Sequence, residues 1–271
     1  MKILGKIVDA KRAEVAKVKT NVPVSSLEKS EYFRSPARSL QKSLLSREGF
    51  GILAEFKKKS PSKGLINAGA LPENVCPAYF EAGASAVSVL TNREFFGGSN
   101  EDFLKARKAC KGVLLRKEFI IDEYQVIESK SLGADAILLI ADILTKRELT
   151  GLSTLASSLG MEVLFEIHDE KGIEKLPAEA KLTGINSRNL DNFSIDMDIP
   201  ARIIRLLPET SVKIAESGIH SPEKLMEFRK LGFSGFLIGE MFMKENDPGD
   251  SCRRFTQALK QVKTFDKTGS Q

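Results

Sequence analysis

The feature of this 271-residue chain that most limits its fold is a short apolar run, repeated many times, that ends on one polar side chain. Ile52-Leu53-Ala54 stops at Glu55, Val113-Leu114-Leu115 runs through Arg116 to Lys117, and Val163-Leu164-Phe165 stops at Glu166. Thr183-Gly184-Ile185 stops at Asn186, and Ile214-Ala215 at Glu216 and Ser217. Runs this short and this apolar read as strands buried on both faces of a parallel sheet. Eight are expected, near residues 51–55, 86–90, 113–117, 136–140, 162–166, 182–186, 212–216 and 235–239. Their ends recur roughly every 20–35 residues, the length of one strand–helix unit.

An internal repeat punctuates the same pattern. Ala82-Gly83-Ala84-Ser85-Ala86-Val87, Leu132-Gly133-Ala134-Asp135-Ala136-Ile137 and Leu231-Gly232-Phe233-Ser234-Gly235-Phe236 each read as a helix end, a glycine, two turn residues and a strand. Glycine there supplies a left-handed C-cap. Ser221-Pro222-Glu223 and Asp122 read as helix N-caps. The expected fold class is α/β, a (β/α)8 TIM barrel over residues 51–262. A doubly wound dinucleotide fold would carry G-x-G-x-x-G after a strand, and that motif is missing. Residues 1–50 read as a helical extension packed on the barrel. Ile3, Ile7, Ala10 and Val15 form an apolar face amid Lys6, Lys11, Arg12 and Glu14, residues 21–36 are turn-rich, and residues 39–45 form a short helix. Residues 263–271 read as a polar tail.

In such a barrel the strand C-termini share one face, where catalysis takes place. Side chains alternate along a strand, so Leu53 and Glu55 share a side, as do Leu115 and Lys117, Leu164 and Glu166, and Ile214 and Glu216. If the apolar member fills the interior, the polar member points inward at the rim, and Arg116 faces the helices. Unpaired charges in an apolar mouth cost several kcal/mol each, so a cluster of them points to chemistry. The loop Lys57-Lys58-Lys59-Ser60-Pro61-Ser62-Lys63-Gly64 reads as a mobile anion clamp. Ser217, Gly218 and Gly239, after the last two strands, read as a phosphate site built from backbone N–H groups.

Composition narrows the partners. A net charge of +5 favours an anionic small-molecule ligand, and with no Trp and three Tyr the chain is poor in the stacking platforms of a nucleic-acid binder. No apolar stretch approaches the ~20 residues that cross a bilayer. Residues 1–6 lack the apolar core of a secretory leader, and the odd count of three cysteines reads as reduced thiols. The expected location is cytoplasmic. His168 and His220, the only histidines, read as polar loop residues, and no metal-ligand spacing is present.

Residues 54–64, together with Phe95-Phe96-Gly97-Gly98-Ser99, Leu115-Arg116-Lys117-Glu118-Phe119-Ile120, Gly184-Ile185-Asn186-Ser187-Arg188-Asn189-Leu190 and Ala215-Glu216-Ser217-Gly218-Ile219, resemble the indole-3-glycerol phosphate synthase family in its single-function form. The resemblance spans about residues 50–250 in order. It implies closure of the indole pyrrole ring from 1-(2-carboxyphenylamino)-1-deoxyribulose 5-phosphate, with loss of CO2 and water and no cofactor. It assigns Lys117 as general acid, Lys57 to the substrate carboxylate, and Glu166 to proton transfer in the dehydration. Glu55 and Glu216 orient the lysines, while Asn186 and Arg188 hold hydroxyl and carboxylate groups. Phe96, Phe119 and Leu138 wall the ring, and Ser60, Ser217, Gly218 and Gly239 surround the phosphate. Two departures stand out. Glu118 replaces the usual Asp, and Glu240 stands where some members have Ser. A carboxylate at 240 repels phosphate, so that side chain is expected to turn away. Two other readings compete: a barrel aldolase with Lys117 as Schiff-base nucleophile, and a non-catalytic barrel that binds a phosphorylated metabolite.

Overall fold

The structure is a computed structural model that describes residues 3–189 and 194–268, with side chains described to residue 262. Eight parallel strands close into a barrel: β1 (Ile52–Phe56), β2 (Ala86–Leu90), β3 (Leu114–Lys117), β4 (Ala136–Ile140), β5 (Glu162–Ile167), β6 (Leu182–Asn186), β7 (Val212–Glu216) and β8 (Gly235–Ile238). Every strand lies within a residue or so of its expected position. Closure comes from β8 pairing with β1, Phe236 opposite Ile52 and Ile238 opposite Ala54. Gly83, Gly133 and Gly232 of the repeat sit at φ of 94°, 83° and 107°, the left-handed region that a Cβ disfavours. Ser221 and Asp122 accept N-cap hydrogen bonds from Lys224 and Tyr124.

Alternation divides the apolar residues into two clusters. Leu53, Leu115, Leu138, Leu164, Ile214 and Leu237 pack inside the barrel. Ile52, Ala54, Ile137, Phe165, Ala215 and Phe236 pack outward under the helices. Arg116 faces outward as expected. Its guanidinium donates to Glu128 at 2.6 Å, Asn100 at 2.8 Å and Ser129 at 2.9 Å.

The extension begins with helix α1 (Ile3–Asn21), which buries Ile7, Lys11 and Val15. Lys11 does not belong to the solvated face that the sequence suggests. It is 2% exposed and reaches Glu118, just past β3, at 3.3 Å. A short turn of helix (Val24–Leu27) falls within the turn-rich stretch. Helix Leu40–Leu44 is capped by Ser39, and Leu40 and Leu44 join the interior cluster. Side chains on both sides stitch the extension down: Lys19 to Asp122 at 2.6 Å, Lys130 to the Ser35 carbonyl at 2.8 Å, and Ser39 to Glu162 at 2.6 Å. At the other end, the last helix (Pro248–Thr268) runs past residue 262 into the expected polar tail. Residues 269–271 of that tail, and Leu190 of the motif above, lie outside the described residues.

Asp135, at the start of β4, anchors this framework. Its carboxylate accepts from Arg107 at 2.8 Å, from the Leu114 amide at 2.9 Å and from the Arg38 amide at 2.8 Å, and it is 2% exposed. Removing it strands a buried guanidinium, which costs about 3–5 kcal/mol. Asp135→Ala is therefore expected to lower the unfolding free energy by that amount, read by chemical denaturation as a lower midpoint at unchanged slope.

Candidate functional site

The strand ends bring the candidate charges to one place. Glu55, Lys57, Lys117, Glu166, Asn186, Arg188 and Glu216 line one cavity of about 610 Å3 at the C-terminal mouth of the barrel. Phe96, Phe119, Leu138, Ser60, Ser217, Gly218 and Gly239 line it too. All fourteen positions singled out in the sequence are thus on one surface.

At the centre is Lys117. Its ammonium lies 3.0 Å from Glu55 Oε2 and 3.3 Å from Glu216 Oε2. Lys57 closes on the other Glu55 oxygen at 2.7 Å. Burial pulls the Lys117 pKa down, but Glu55, Glu216 and Glu166 outweigh it and hold the ammonium well above its ordinary value. Burial lifts Glu55, but Lys117 and Lys57 outweigh that and hold the carboxyl at about 2. Glu216 goes the other way. Burial lifts it, Lys117 offsets this only in part, Glu166 adds repulsion, and its pKa is pushed up to about 8. Glu216 Oε1 is buried with no hydrogen-bond partner. A proton on Glu216, shared toward Glu166, satisfies that atom and relieves the repulsion.

Two glycines make room for these carboxylates. A Cβ on Gly184 would overlap Glu216 Oε1, and a Cβ on Gly239 would overlap Glu55 Oε1. Strand register explains the first: Gly184 lies between Glu166 on β5 and Ile214 on β7, so the Glu216 side chain crosses a bare backbone. Gly184 escaped the sequence reading because it sits inside an apolar run. Gly239, the expected phosphate contact, lines the cavity, and the space over its Cα is taken by Glu55.

The opposite wall is apolar. Phe96 and Phe119 stand with ring centroids 6.0 Å apart at 38°. At the ends of β6 and β7, Asn186 Oδ1 accepts from the Ser217 hydroxyl at 2.8 Å and from the Arg188 amide at 3.0 Å, while its amide donates to Glu166 at 3.1 Å. The Ser217 hydroxyl is thereby engaged, leaving its backbone to face a ligand. Ser217 has φ of 67° and is the only non-glycine with positive φ among the described residues; Gly218 follows at 75°. Strain of this kind, about 1–3 kcal/mol, collects at ligand-binding turns. The Ser60 hydroxyl accepts from the Lys63 amide at 3.2 Å and so shapes its own loop.

Three expectations change. The basic loop is tied down along most of its length: Lys58 pairs with Asp102 at 2.7 Å and Lys59 donates to the Glu94 carbonyl at 3.0 Å, while Lys57 turns inward. Glu240 does not turn away. It lines the mouth, drawn there by Arg188 at 3.6 Å and Lys63 at 3.9 Å. His168 is not a free polar loop residue. Its ring is 12% exposed, between Asp142 at 2.7 Å and Glu166 at 3.4 Å. His220 is exposed as expected, its Nδ1 2.8 Å from the Gly218 carbonyl.

The arrangement offers an ammonium, paired carboxylates, an aromatic wall and a cationic rim, which together suit acid–base work on an anionic aromatic ligand. Comparison with known proteins agrees. The model of the indole-3-glycerol phosphate synthase family matches residues 4–255. A curated protein of that name from Bacteroides thetaiotaomicron is 42% identical over 257 residues, covering 95% of this chain and 98% of its own length. One from Campylobacter curvus is 42% identical over 251 residues, covering 90% and 95%. In fold alone, the chain is similar to tryptophan synthase subunit alpha from Legionella pneumophila, with a TM-score of 0.59 at 12% identity over 82% of this chain and 95% of that one. Matched along nearly its whole length by family model and relatives alike, the chain belongs to the indole-3-glycerol phosphate synthase family.

Proposed function

We propose that this chain converts 1-(2-carboxyphenylamino)-1-deoxyribulose 5-phosphate into indole-3-glycerol phosphate, CO2 and water, as a step of tryptophan biosynthesis. The observation that carries the reading is the Lys117 ammonium braced by Glu55 and Glu216 in a cavity walled by Phe96 and Phe119. The substrate has an aromatic ring for that wall and a carboxylate and phosphate for Lys57, Arg188 and the Ser217–Gly218 backbone.

In this reading the aromatic carbon that bears the carboxylate attacks the ketone, and Lys117 gives its proton to the oxygen as the bond forms. A ketone oxygen becomes strongly basic only in that step, so a strongly basic ammonium can protonate it there while staying charged beforehand. Loss of CO2 restores part of the aromatic system. Glu166 then takes a proton from the ring methylene while Lys57 protonates the new hydroxyl, which leaves as water and completes the pyrrole ring. Asn186 holds Glu166 and the Ser217 turn together. The charge on Lys117 weighs against the aldolase reading, since a Schiff-base lysine must be neutral to attack. A non-catalytic binder has no use for three buried carboxylates around a lysine, which are costly to keep. Buried, unpaired Cys76, Cys110 and Cys252 fit a reducing, cytoplasmic setting.

Incubation with the anilino-deoxyribulose phosphate is expected to produce indole fluorescence; a flat trace with verified substrate refutes the reading. Lys117→Ala is expected to lower kcat by about 10²–10⁴-fold while substrate affinity stays within a few-fold, measured by steady-state kinetics and calorimetry.

Glu240 competes with the substrate for Arg188 and Lys63. Glu240→Gln is expected to lower KM about two- to fivefold at unchanged kcat, matching the ~0.4–1 kcal/mol of an exposed ion pair.

Glu216 gives a pH signature. Its native pKa lies above the ordinary value of 4.5, at about 8. Between those values the unfolded chain has released a proton that the native state keeps, so wild-type stability falls as pH rises across the window and levels off above it. Glu216→Gln removes this loss. Denaturation is expected to find the variant about 2–4 kcal/mol more stable than wild type at pH 8.5 and little different at pH 4, with turnover reduced.

A further inference from the structure

The imidazole of His168 lies two residues beyond Glu166, on the same side of the chain, with the outward Ile167 between them. Each ring nitrogen faces a carboxylate. Nδ1 is 2.7 Å from Asp142 Oδ2, and Nε2 is 3.4 Å from Glu166 Oε1. A neutral imidazole carries one N–H and leaves one of these contacts lone pair against lone pair; only the imidazolium serves both. Nε2 makes no hydrogen bond, and its contact with Glu166 is one of charge. Asp142 is held in place from behind, because Lys175 donates to the Ala141 and Leu144 carbonyls at 2.7 and 3.1 Å and fixes the turn that presents it.

The charged groups around this pair are few. Asp142, Glu166 and Glu216 act on His168, Lys175 also acts on Asp142, and Lys117 acts on Glu216. Asp169, next in the chain, turns away to cap a helix through the Gly172 amide. Burial draws the His168 pKa down, but the Asp142 hydrogen bond and the Glu166, Asp142 and Glu216 charges outweigh it and raise it.

The two mouth carboxylates are therefore unequal. Glu166 Oε1 meets a cation and the Asn186 amide, whereas Glu216 Oε1 meets no donor. We propose that His168, braced by Asp142, is a positioning residue that keeps Glu166 ionised as the base of the dehydration and leaves the proton of the carboxylate pair on Glu216. This rests on the role given to Glu166 above. No group is consumed: Glu166 takes one proton from the substrate and releases one to water in each turnover.

Two measurements test it. The first is an NMR titration of the His168 Cε1–H resonance, separable because His220 is the only other histidine. Its midpoint is expected above 6.5 in the wild type, and lower by about 1–3 units in Glu166→Gln. A midpoint at or below 6.5, or one that Glu166→Gln leaves in place, overturns the proposal. The second is the pH dependence of kcat. In His168→Gln the acid limb is expected to move up by about 1–3 units, with kcat returning near wild type above it; Asp142→Asn is expected to move the limb the same way by less. A loss of kcat that is equal at every pH, or an unchanged profile, assigns His168 a merely structural role and overturns the proposal. The titration does not depend on turnover. If the wild type makes no indole while His168 still responds to Glu166→Gln, the reaction assignment fails and the charge arrangement stands.

Discussion

The site depends on holding an ammonium where water is scarce. Lys117 sits at the rim of an apolar interior, and its charge persists only because Glu55 and Glu216 stand at 3.0 and 3.3 Å. Isolated, each of these groups would neutralise itself; together they set one another's protonation. In the proposed state, with the proton on Glu216, the three cations Lys57, Lys117 and His168 face the three carboxylates Glu55, Glu166 and Asp142. Chemistry that moves protons among such groups needs little solvent rearrangement, the condition under which fixed charges are most effective.

Backbone shape supports that balance. Gly184 and Gly239 leave gaps through which the Glu216 and Glu55 side chains reach the centre. The strained Ser217 turn projects from the end of β7, next to Glu216, so this turn and the charged cluster share one strand end. Precision at the site is thus a property of strand register, which fixes which residue of each strand meets the rim.

Much of this was legible because strands impose a period of two. Leu53 with Glu55, Leu115 with Lys117 and Leu164 with Glu166 declared which charges face inward, and the same parity sent Arg116 outward. What was hidden depends on partners distant in sequence. Lys11 has the neighbours of a solvated helix residue, and only docking reveals Glu118 beside it. His168 gains its meaning from Asp142 on another strand end, and Glu240 from Arg188 and Lys63 across the mouth. Gly184 looked like any small residue of an apolar run, since its function is the volume it leaves empty.

The stitching of the extension sets an order of events during synthesis. Residues 3–45 leave the ribosome well before their polar partners, among them Asp122, Lys130 and Glu162, which follow 95 to 123 residues later. Helix α1 and the Leu40–Leu44 plug therefore wait, apolar faces uncovered, until β3, β4 and β5 exist to receive them. Lys11 then meets Glu118, the residue that follows Lys117, so docking of the helix also reaches the end of β3.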